Sequence, residues 1–202
     1  MRTDYLNPQL YNRLYGVMTY DNVLALRISL ETGLRIDDVL SLRAEQLHKC
    51  TILGTAKKTG KVYKKVISRD LAERLRRLNR DGYLFPHRTK KGEHRTRQAV
   101  WKNMKQAAAR LGIELNVAPH SARKTYAVEL FHDKGLGAAQ AELQHDRIST
   151  TMIYAFSDML SPKAPNNANF GNTLQNYQFM ENFAELVAKK VVEKLTNNKK
   201  PT

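Results

Sequence analysis

The pattern of apolar and polar positions near the start of the chain predicts two consecutive helices. Between Thr19 and Gly33, apolar residues follow the spacing of one helical face. Thr19 suits an N-terminal cap, and Gly33 suits a helix end because glycine readily adopts the left-handed conformation found there. A second helix is predicted from about Asp37, with Val39 and Leu40 on its inner side.

A β-hairpin is predicted next along the chain. The segments Thr51–Thr55 and Val62–Ile67 are rich in β-forming residues, and Gly60 lies in the short connection between them. This connection reads Lys-Lys-Thr-Gly-Lys over residues 57–61, so the tip of the predicted hairpin is strongly cationic.

Helical spacing returns in the second half of the chain. Ser68 and Thr96 each precede an amphipathic run and are expected to cap a helix, with a basic loop between the two helices. Further helical runs span Ser121–Phe131 and about Gly137–Leu143, and a break is expected near Gly135.

The pattern beyond residue 145 predicts a short helix, a linker and a final helix. Ser149 or Thr150 suits the cap of a short helix that contains Tyr154. Residues 161–176 are rich in asparagine and proline, which is typical of an extended linker. In residues 177–202, apolar side chains recur every four positions, as in an amphipathic helix.

The charge of the chain is concentrated in one segment. The sequence holds 34 Lys and Arg against 19 Asp and Glu, for a net charge of +15. Residues 49–110 contain 19 of the basic residues and four of the acidic ones, so the whole surplus lies there. This distribution favours a nucleic-acid partner over an ordinary solvated basic face, although charge does not distinguish RNA from DNA. A membrane surface is disfavoured because the basic residues lie in the hairpin and loops and do not line an amphipathic helix.

The sequence gives no indication that the protein binds a metal or spans a membrane. Cys50 is the single cysteine, and the six histidines do not form a ligand pattern with it. No stretch approaches the ~20 apolar residues of a membrane span. We therefore expect a soluble, cytoplasmic protein that needs no metal and no cofactor.

Four short segments contain side chains able to act on a phosphate group. They are residues 32–38, 58–61, 120–123 and 143–154. Each has an ordinary interpretation when taken alone. Arg35 follows a helix-ending glycine, where an arginine is usually a surface residue, and Lys58 is part of a turn. His120 and Arg123, three residues apart, are consistent with an exposed pair on one helical face.

His145 and Tyr154 need a chain break between them to meet. They are nine residues apart, which places them on opposite sides of one straight helix. The cap predicted at Ser149–Thr150 supplies that break.

Taken together, these residues follow the order Arg, Lys, His-x-x-Arg, His, Tyr. This order, with 22 residues from Arg123 to His145 and nine from His145 to Tyr154, resembles the catalytic domain of the tyrosine recombinase (phage integrase) family. The resemblance extends over about residues 21–157. It implies a mainly α-helical fold with a small antiparallel β-sheet (α+β), which agrees with the elements predicted above.

The resemblance implies six catalytic residues that cleave a DNA strand without a metal. They are Arg35, Lys58, His120, Arg123, His145 and Tyr154. Tyr154 would attack the scissile phosphate and form a 3′-phosphotyrosine while a 5′-hydroxyl leaves. His120 would accept the phenolic proton, and Lys58 would protonate the leaving oxygen.

The remaining groups would stabilise the phosphate and support the site. Arg35 and Arg123 suit bidentate pairing with the non-bridging oxygens, and His145 would add a donor. Asp38 would orient Arg35 or its helix. Lys57 and Lys61 are alternatives to Lys58, because both are close to it on the same hairpin.

The implied partner is double-stranded DNA, bound through the hairpin and the basic loop. The expected DNA-contacting residues are Lys57, Lys61, Lys64, Arg88, Lys90, Lys91, Arg95 and Arg97. The family resemblance further implies site-specific recombination by a homotetramer on two DNA sites, with accessory DNA-bending proteins and an origin in a mobile element.

The predicted organisation is an N-terminal extension (1–20), a catalytic domain (21–160), the linker (161–176) and the C-terminal helix (177–202). The family resemblance implies that this last helix is exchanged between protomers, with packing on its own core as the alternative. We expect a fragment of a longer protein that lacks an N-terminal core-binding domain. A short recombinase similar to the fimbrial inversion enzymes is the alternative.

Two other functions remain open from the sequence. A type IB topoisomerase resembles this family in its residues and in its 3′-phosphotyrosine chemistry, but it relaxes supercoils as a monomer. A catalytically silent DNA-binding protein of the same fold is the other, and the presence of all six residues argues against it.

Overall fold

Six helices and a small sheet form the part of the chain described here, residues 3–143 of a computed structural model. The helices are α1 (Pro8–Tyr15), α2 (Tyr20–Thr32), α3 (Ile36–Leu40), α4 (Arg69–Arg77), α5 (Arg97–Arg110) and α6 (Pro119–Glu142). The strands are β1 (Leu47–His48), β2 (Thr51–Thr55) and β3 (Val62–Val66), paired antiparallel in the order β1-β2-β3. The predicted mainly α fold with a small antiparallel sheet is confirmed.

Helix α2 lies at the centre of the hydrophobic core. It packs against α3, α4 and α6, and Leu24, Leu26 and Ile28 on it are fully buried. An ordinary surface helix buries a single stripe, whereas α2 buries residues around most of its circumference. The ends of α2 and α6 are therefore held firmly relative to each other, and the candidate site lies at these ends.

The two ends of α2 differ in how closely they match the prediction. Gly33 closes the helix with a left-handed φ of 69°, as expected. A β-carbon on Gly33 would meet the ring of Tyr126 well inside van der Waals contact, so this position requires glycine for space as well as for conformation. Thr19 is the N-terminal cap residue, but its hydroxyl donates to Asn103 Oδ1 (3.1 Å) and does not cap the helix.

Residues 3–20, predicted as an N-terminal extension, pack into the same hydrophobic core as α2. Leu6, Tyr11 and Leu14 are at most 1% exposed and belong to the same hydrophobic cluster as α2. Hydrogen bonds tie this segment to α6, because Thr125 Oγ1 donates to the Leu6 carbonyl (3.1 Å). The helix α1 was missed in the sequence, although Asn7 caps it and Pro8 begins it.

Residues Pro119–Glu142 are helical, but α6 does not follow one straight axis. Arg123 and Tyr126 hydrogen-bond Leu143 and Glu142, which a straight helix would place more than about 20 Å away. The chain therefore turns back between Tyr126 and Glu142, in the range where the break near Gly135 is predicted. The caps predicted at Ser68 and Thr96 are confirmed, since their hydroxyls accept hydrogen bonds at the starts of α4 and α5.

Several predictions concern residues outside the described range. They include His145, Tyr154, the linker (161–176) and the C-terminal helix (177–202). Within residues 3–143, no helix has the length and apolarity needed to cross a membrane.

Candidate active site

Arg123 is the most tightly held side chain of the candidate site. It lies on the second turn of α6 and is 4% exposed. Its Nη1 donates to the Gly33 carbonyl, and its Nη2 donates to the Leu143 carbonyl at 2.8 Å. These two bonds connect the end of α2 to the end of α6 and fix the plane of the guanidinium.

Arg35 approaches the same place from the turn that follows α2. Ser29 Oγ donates to the Leu34 carbonyl (2.7 Å), and the Leu34 amide donates to Thr32 Oγ1 (3.2 Å). This turn leaves Arg35 half-buried as the cap residue of α3. Arg35 and Arg123 line one shallow cavity, which we call the arginine cavity. Its further lining residues include Asp38, Tyr63, Lys65 and Glu142.

Asp38 connects α3 to the start of the hairpin turn. Its side chain is 3% exposed, and Oδ1 accepts a hydrogen bond from the Lys57 amide at 2.8 Å. Among the described residues Oδ2 has no hydrogen-bond partner, so no such bond joins Asp38 to Arg35. The pKa of Tyr63 is raised to about 12, first by burial and then by the negative charge of Asp38.

Three predicted hairpin lysines, Lys58, Lys61 and Lys64, are exposed to solvent. Lys58 lies in the turn between β2 and β3, which closes with the Ala56 amide on the Lys61 carbonyl (2.9 Å) and a left-handed Gly60. The predicted hairpin and its glycine turn are therefore confirmed. An exposed ammonium on a long stem has the reach of a movable proton donor.

The side chain of Lys57 contacts the basic loop that follows the hairpin. Its Nζ lies 3.0 Å from Nε2 of His94, and Nδ1 of this histidine lies 2.9 Å from the Arg95 carbonyl. The network assigns the proton to Nδ1, so that Nε2 accepts from the ammonium. This contact joins the hairpin to the basic loop 86–95.

His120 lies three residues before Arg123, at the start of α6, as predicted. Its ring keeps an exposed edge, while crowding by surrounding protein removes water and lowers the imidazole pKa from its ordinary value of 6.5. The positive charges of Arg123 and Arg35 lower this pKa further. The imidazole is therefore neutral at pH 7 and able to accept a proton.

The predicted DNA-contacting residues of the basic loop fall into two groups. Arg88, Lys90, Lys91 and Arg97 are exposed. The Arg95 guanidinium instead donates to Asn22 Oδ1 (2.8 Å) and to Asp21 Oδ2 (3.0 Å). We therefore leave Arg95 out of the DNA-contacting set, because its donors stabilise the start of α2.

A match to a family model over most of the chain decides the family. Residues 4–160 match the family model described as "Phage integrase family". The chain belongs to the phage integrase family.

Relatives of known name agree with this membership. The chain is 36% identical to the "Tyrosine recombinase XerD" of Lacticaseibacillus casei over 134 residues, which are 61% of this chain and 46% of the relative. A XerD of Listeria monocytogenes is 33% identical over 141 residues, covering 64% and 48%. The chain thus spans about half the length of the curated relatives it matches.

Solved structures agree with the fold. The catalytic domain of bacteriophage HP1 integrase is 25% identical, with a TM-score of 0.60 over 87% of this chain and 98% of that one. The XerH recombinase in a post-cleavage complex with a palindromic difH substrate is 21% identical, with a TM-score of 0.61 over 74% and 48%.

Two charged residues that line the arginine cavity of this phage integrase family member, Lys65 and Glu142, were not predicted from the sequence. Lys65 is 8% exposed and contacts Glu142, which ends α6. The alternation of β3 carried a usable signal, because Tyr63 and Lys65 share the inward face of the strand. Nothing comparable in the sequence marks Glu142. Among residues 3–143, no group of three His, Cys, Asp or Glu side chains could hold a metal ion.

Proposed function

We propose that this chain is the catalytic part of a site-specific DNA recombinase that cuts and rejoins strands through Tyr154. The main observation behind the proposal is that Arg35 and Arg123 line one cavity, with a neutral His120 on the same helix as Arg123. Membership in the phage integrase family supports it.

The proposed reaction is a transesterification at phosphorus. The phenolic oxygen of Tyr154 attacks the scissile phosphate and forms the phosphotyrosine bond, while the bond to the 5′-oxygen breaks. His120 accepts the phenolic proton, and Lys58 protonates the leaving oxygen. The intermediate keeps the energy of the phosphodiester, so attack by a 5′-hydroxyl of another strand rejoins DNA without ATP.

The two arginines are proposed to act on the non-bridging oxygens. Charge grows on these oxygens in the transition state, and fixed donors stabilise it without reorganising. Arg123, held by two backbone carbonyls, is suited to this role because its orientation is set before substrate arrives. His145 is proposed as a third donor.

We propose that DNA lies along the exposed basic residues of the hairpin and of the loop 86–95. The Lys57–His94 contact makes these two basic segments neighbours. Because DNA carries closely spaced phosphates, each lysine or arginine that contacts one strengthens binding in a salt-dependent manner. The finer proposals are a homotetramer on two DNA sites, accessory DNA-bending proteins, exchange of the C-terminal helix and an origin in a mobile element.

The decisive experiment uses nicked suicide DNA, from which the cleaved strand end diffuses away and traps the intermediate. The DNA would be selected from a random library for binding to the full chain. We expect a covalent adduct in EDTA that maps to Tyr154 and is absent from Tyr154→Phe. Tight, salt-dependent binding without an adduct would refute the enzymatic proposal in favour of a silent DNA-binding protein. Relaxation of supercoils without any site requirement would instead indicate topoisomerase activity.

A further inference from the structure

Lys65 is a buried cation on the inward face of an alternating strand. Its neighbours on β3, Lys64 and Val66, are exposed, whereas Lys65 faces inward and is 8% exposed. A lysine is rarely buried unless its ammonium has partners, because the loss of hydration is costly. The partners of Lys65 therefore indicate what the residue does.

The partners of Lys65 all belong to the end of α6. Its Nζ donates to the Glu142 carbonyl (2.8 Å) and also to the Glu142 carboxylate. The hydroxyl of Tyr126 donates to the same carboxylate oxygen at 3.4 Å. These contacts join β3 to α6 across 77 residues of sequence.

The next carbonyl along the chain is held by Arg123. The last carbonyls of a helix lack partners within the helix and carry partial negative charge, so cations stabilise them. Lys65 Nζ donates to the carbonyl of Glu142, and Arg123 Nη2 donates to the carbonyl of Leu143 (2.8 Å). The two cations are thus bound to consecutive carbonyl groups of one short backbone segment.

We propose that Lys65 is a positioning residue that fixes the end of α6 and, through the Leu143 carbonyl, the orientation of the Arg123 guanidinium. This inference rests on the proposed function. The Glu142 carboxylate neutralises the ammonium, which separates Lys65 from the exposed lysines proposed to contact DNA. The same contact ties the hairpin that carries Lys58 to the helix that carries Arg123.

The first test observes Arg123 directly and does not depend on catalysis. In NMR spectra of the full chain, a guanidinium held by two carbonyls rotates slowly and gives separate Nη proton signals, which Arg123→Lys identifies by their loss. We expect Lys65→Met to merge or broaden these signals. The control Lys134→Met removes an exposed lysine of α6 and should leave them unchanged. Sharp, separate signals in Lys65→Met would overturn the proposal.

The second test measures cleavage of the suicide DNA at saturating protein. We expect Lys65→Met to slow adduct formation by about 10- to 100-fold with little change in DNA affinity, because a small misplacement of a reacting group has this effect. The variant Lys65→Met should cost little further rate once Arg123→Lys is present. Losses that multiply in the double variant would show independent roles and contradict the proposal.

A folding defect is distinguished from a positioning defect by a paired replacement. If Lys65→Met unfolds, Lys65→Met with Glu142→Leu removes both charges and keeps apolar volume, which is generally tolerated in buried pairs. We expect this variant to fold and still show the merged Arg123 signals. A wild-type chain that forms no adduct would refute the proposed function, whereas the NMR comparison would still decide the role of Lys65.

Discussion

Nζ of Lys57 lies 3.0 Å from Nε2 of His94, and this contact joins the β2–β3 hairpin to the basic loop 86–95. The backbone amide of Lys57 is also held, by Asp38 Oδ1 at 2.8 Å. Lys58 therefore follows a residue that is fixed at both its backbone and its side chain. The proton donor proposed at Lys58 gains precision from such an anchor.

Replacement of His94 tests this anchor. We expect His94→Ala to speed amide hydrogen exchange in the hairpin turn and in residues 86–95. The free energy of unfolding should fall by no more than about 1 kcal/mol, because an exposed hydrogen bond contributes little. The control His48→Ala removes an exposed histidine from β1. Unchanged exchange in both segments of His94→Ala would contradict the anchoring role.

Gly33 is expected to be intolerant of any side chain. A residue other than glycine at its φ of 69° costs about 1–2 kcal/mol. The clash of a β-carbon with Tyr126 adds about 1–3 kcal/mol of overpacking. Gly112 is the matched control, since its φ is 63° but nothing lies within 4 Å of its β-carbon position. Urea denaturation should show Gly33→Ala to be clearly less stable than Gly112→Ala, and equal losses would refute the packing argument.

The pKa of His120 should lie below 6.5 in the folded chain, as NMR titration can measure. Arg35→Gln removes a nearby positive charge and should raise this pKa, whereas Arg88→Gln should not. The unfolded chain binds the proton more readily, so this histidine makes unfolding more favourable as the pH falls through and below 6.5. Cleavage should also slow on acidification in this range. A His120 pKa at or above 6.5 would contradict the assignment of a neutral base.

Arg95 and Arg88 allow a direct comparison between an arginine that stabilises the fold and one that is proposed to contact DNA. Arg95→Ala leaves Asn22 Oδ1 without its donor and leaves Asp21 with Arg80 alone, so the free energy of unfolding should fall by about 1–3 kcal/mol. Arg88→Ala should change stability by less than about 0.5 kcal/mol. It should instead weaken DNA binding and reduce the slope of log affinity against log salt by about 1. The reverse outcome would return Arg95 to the DNA-contacting set.

The sequence predicted the local elements of the site better than their contacts. The cap at Ser68, the left-handed Gly33 and the turn at Gly60 follow from short-range backbone chemistry, and the structure confirms all three. The turn within α6 that brings Leu143 back to Arg123 lies in the range of the break predicted near Gly135.

The contacts among the cavity residues could not be predicted from the sequence, because they join segments that are distant along the chain. The pairing of Lys65 with Glu142 and of Lys57 with His94 depends on segments 77 and 37 residues apart, and no local pattern encodes it. Asp38 lines the arginine cavity, and its hydrogen bond to the Lys57 amide depends on where the hairpin folds back.

The docking of residues 3–6 on α6 has a practical consequence for how this protein is handled. Lys124, the residue after Arg123, donates from Nζ to the Thr3 carbonyl (3.3 Å), and Thr125 Oγ1 donates to the Leu6 carbonyl. A tag attached ahead of Thr3 would therefore begin beside the helix that carries Arg123. Cleavage rates should be compared with such a tag present and with it removed.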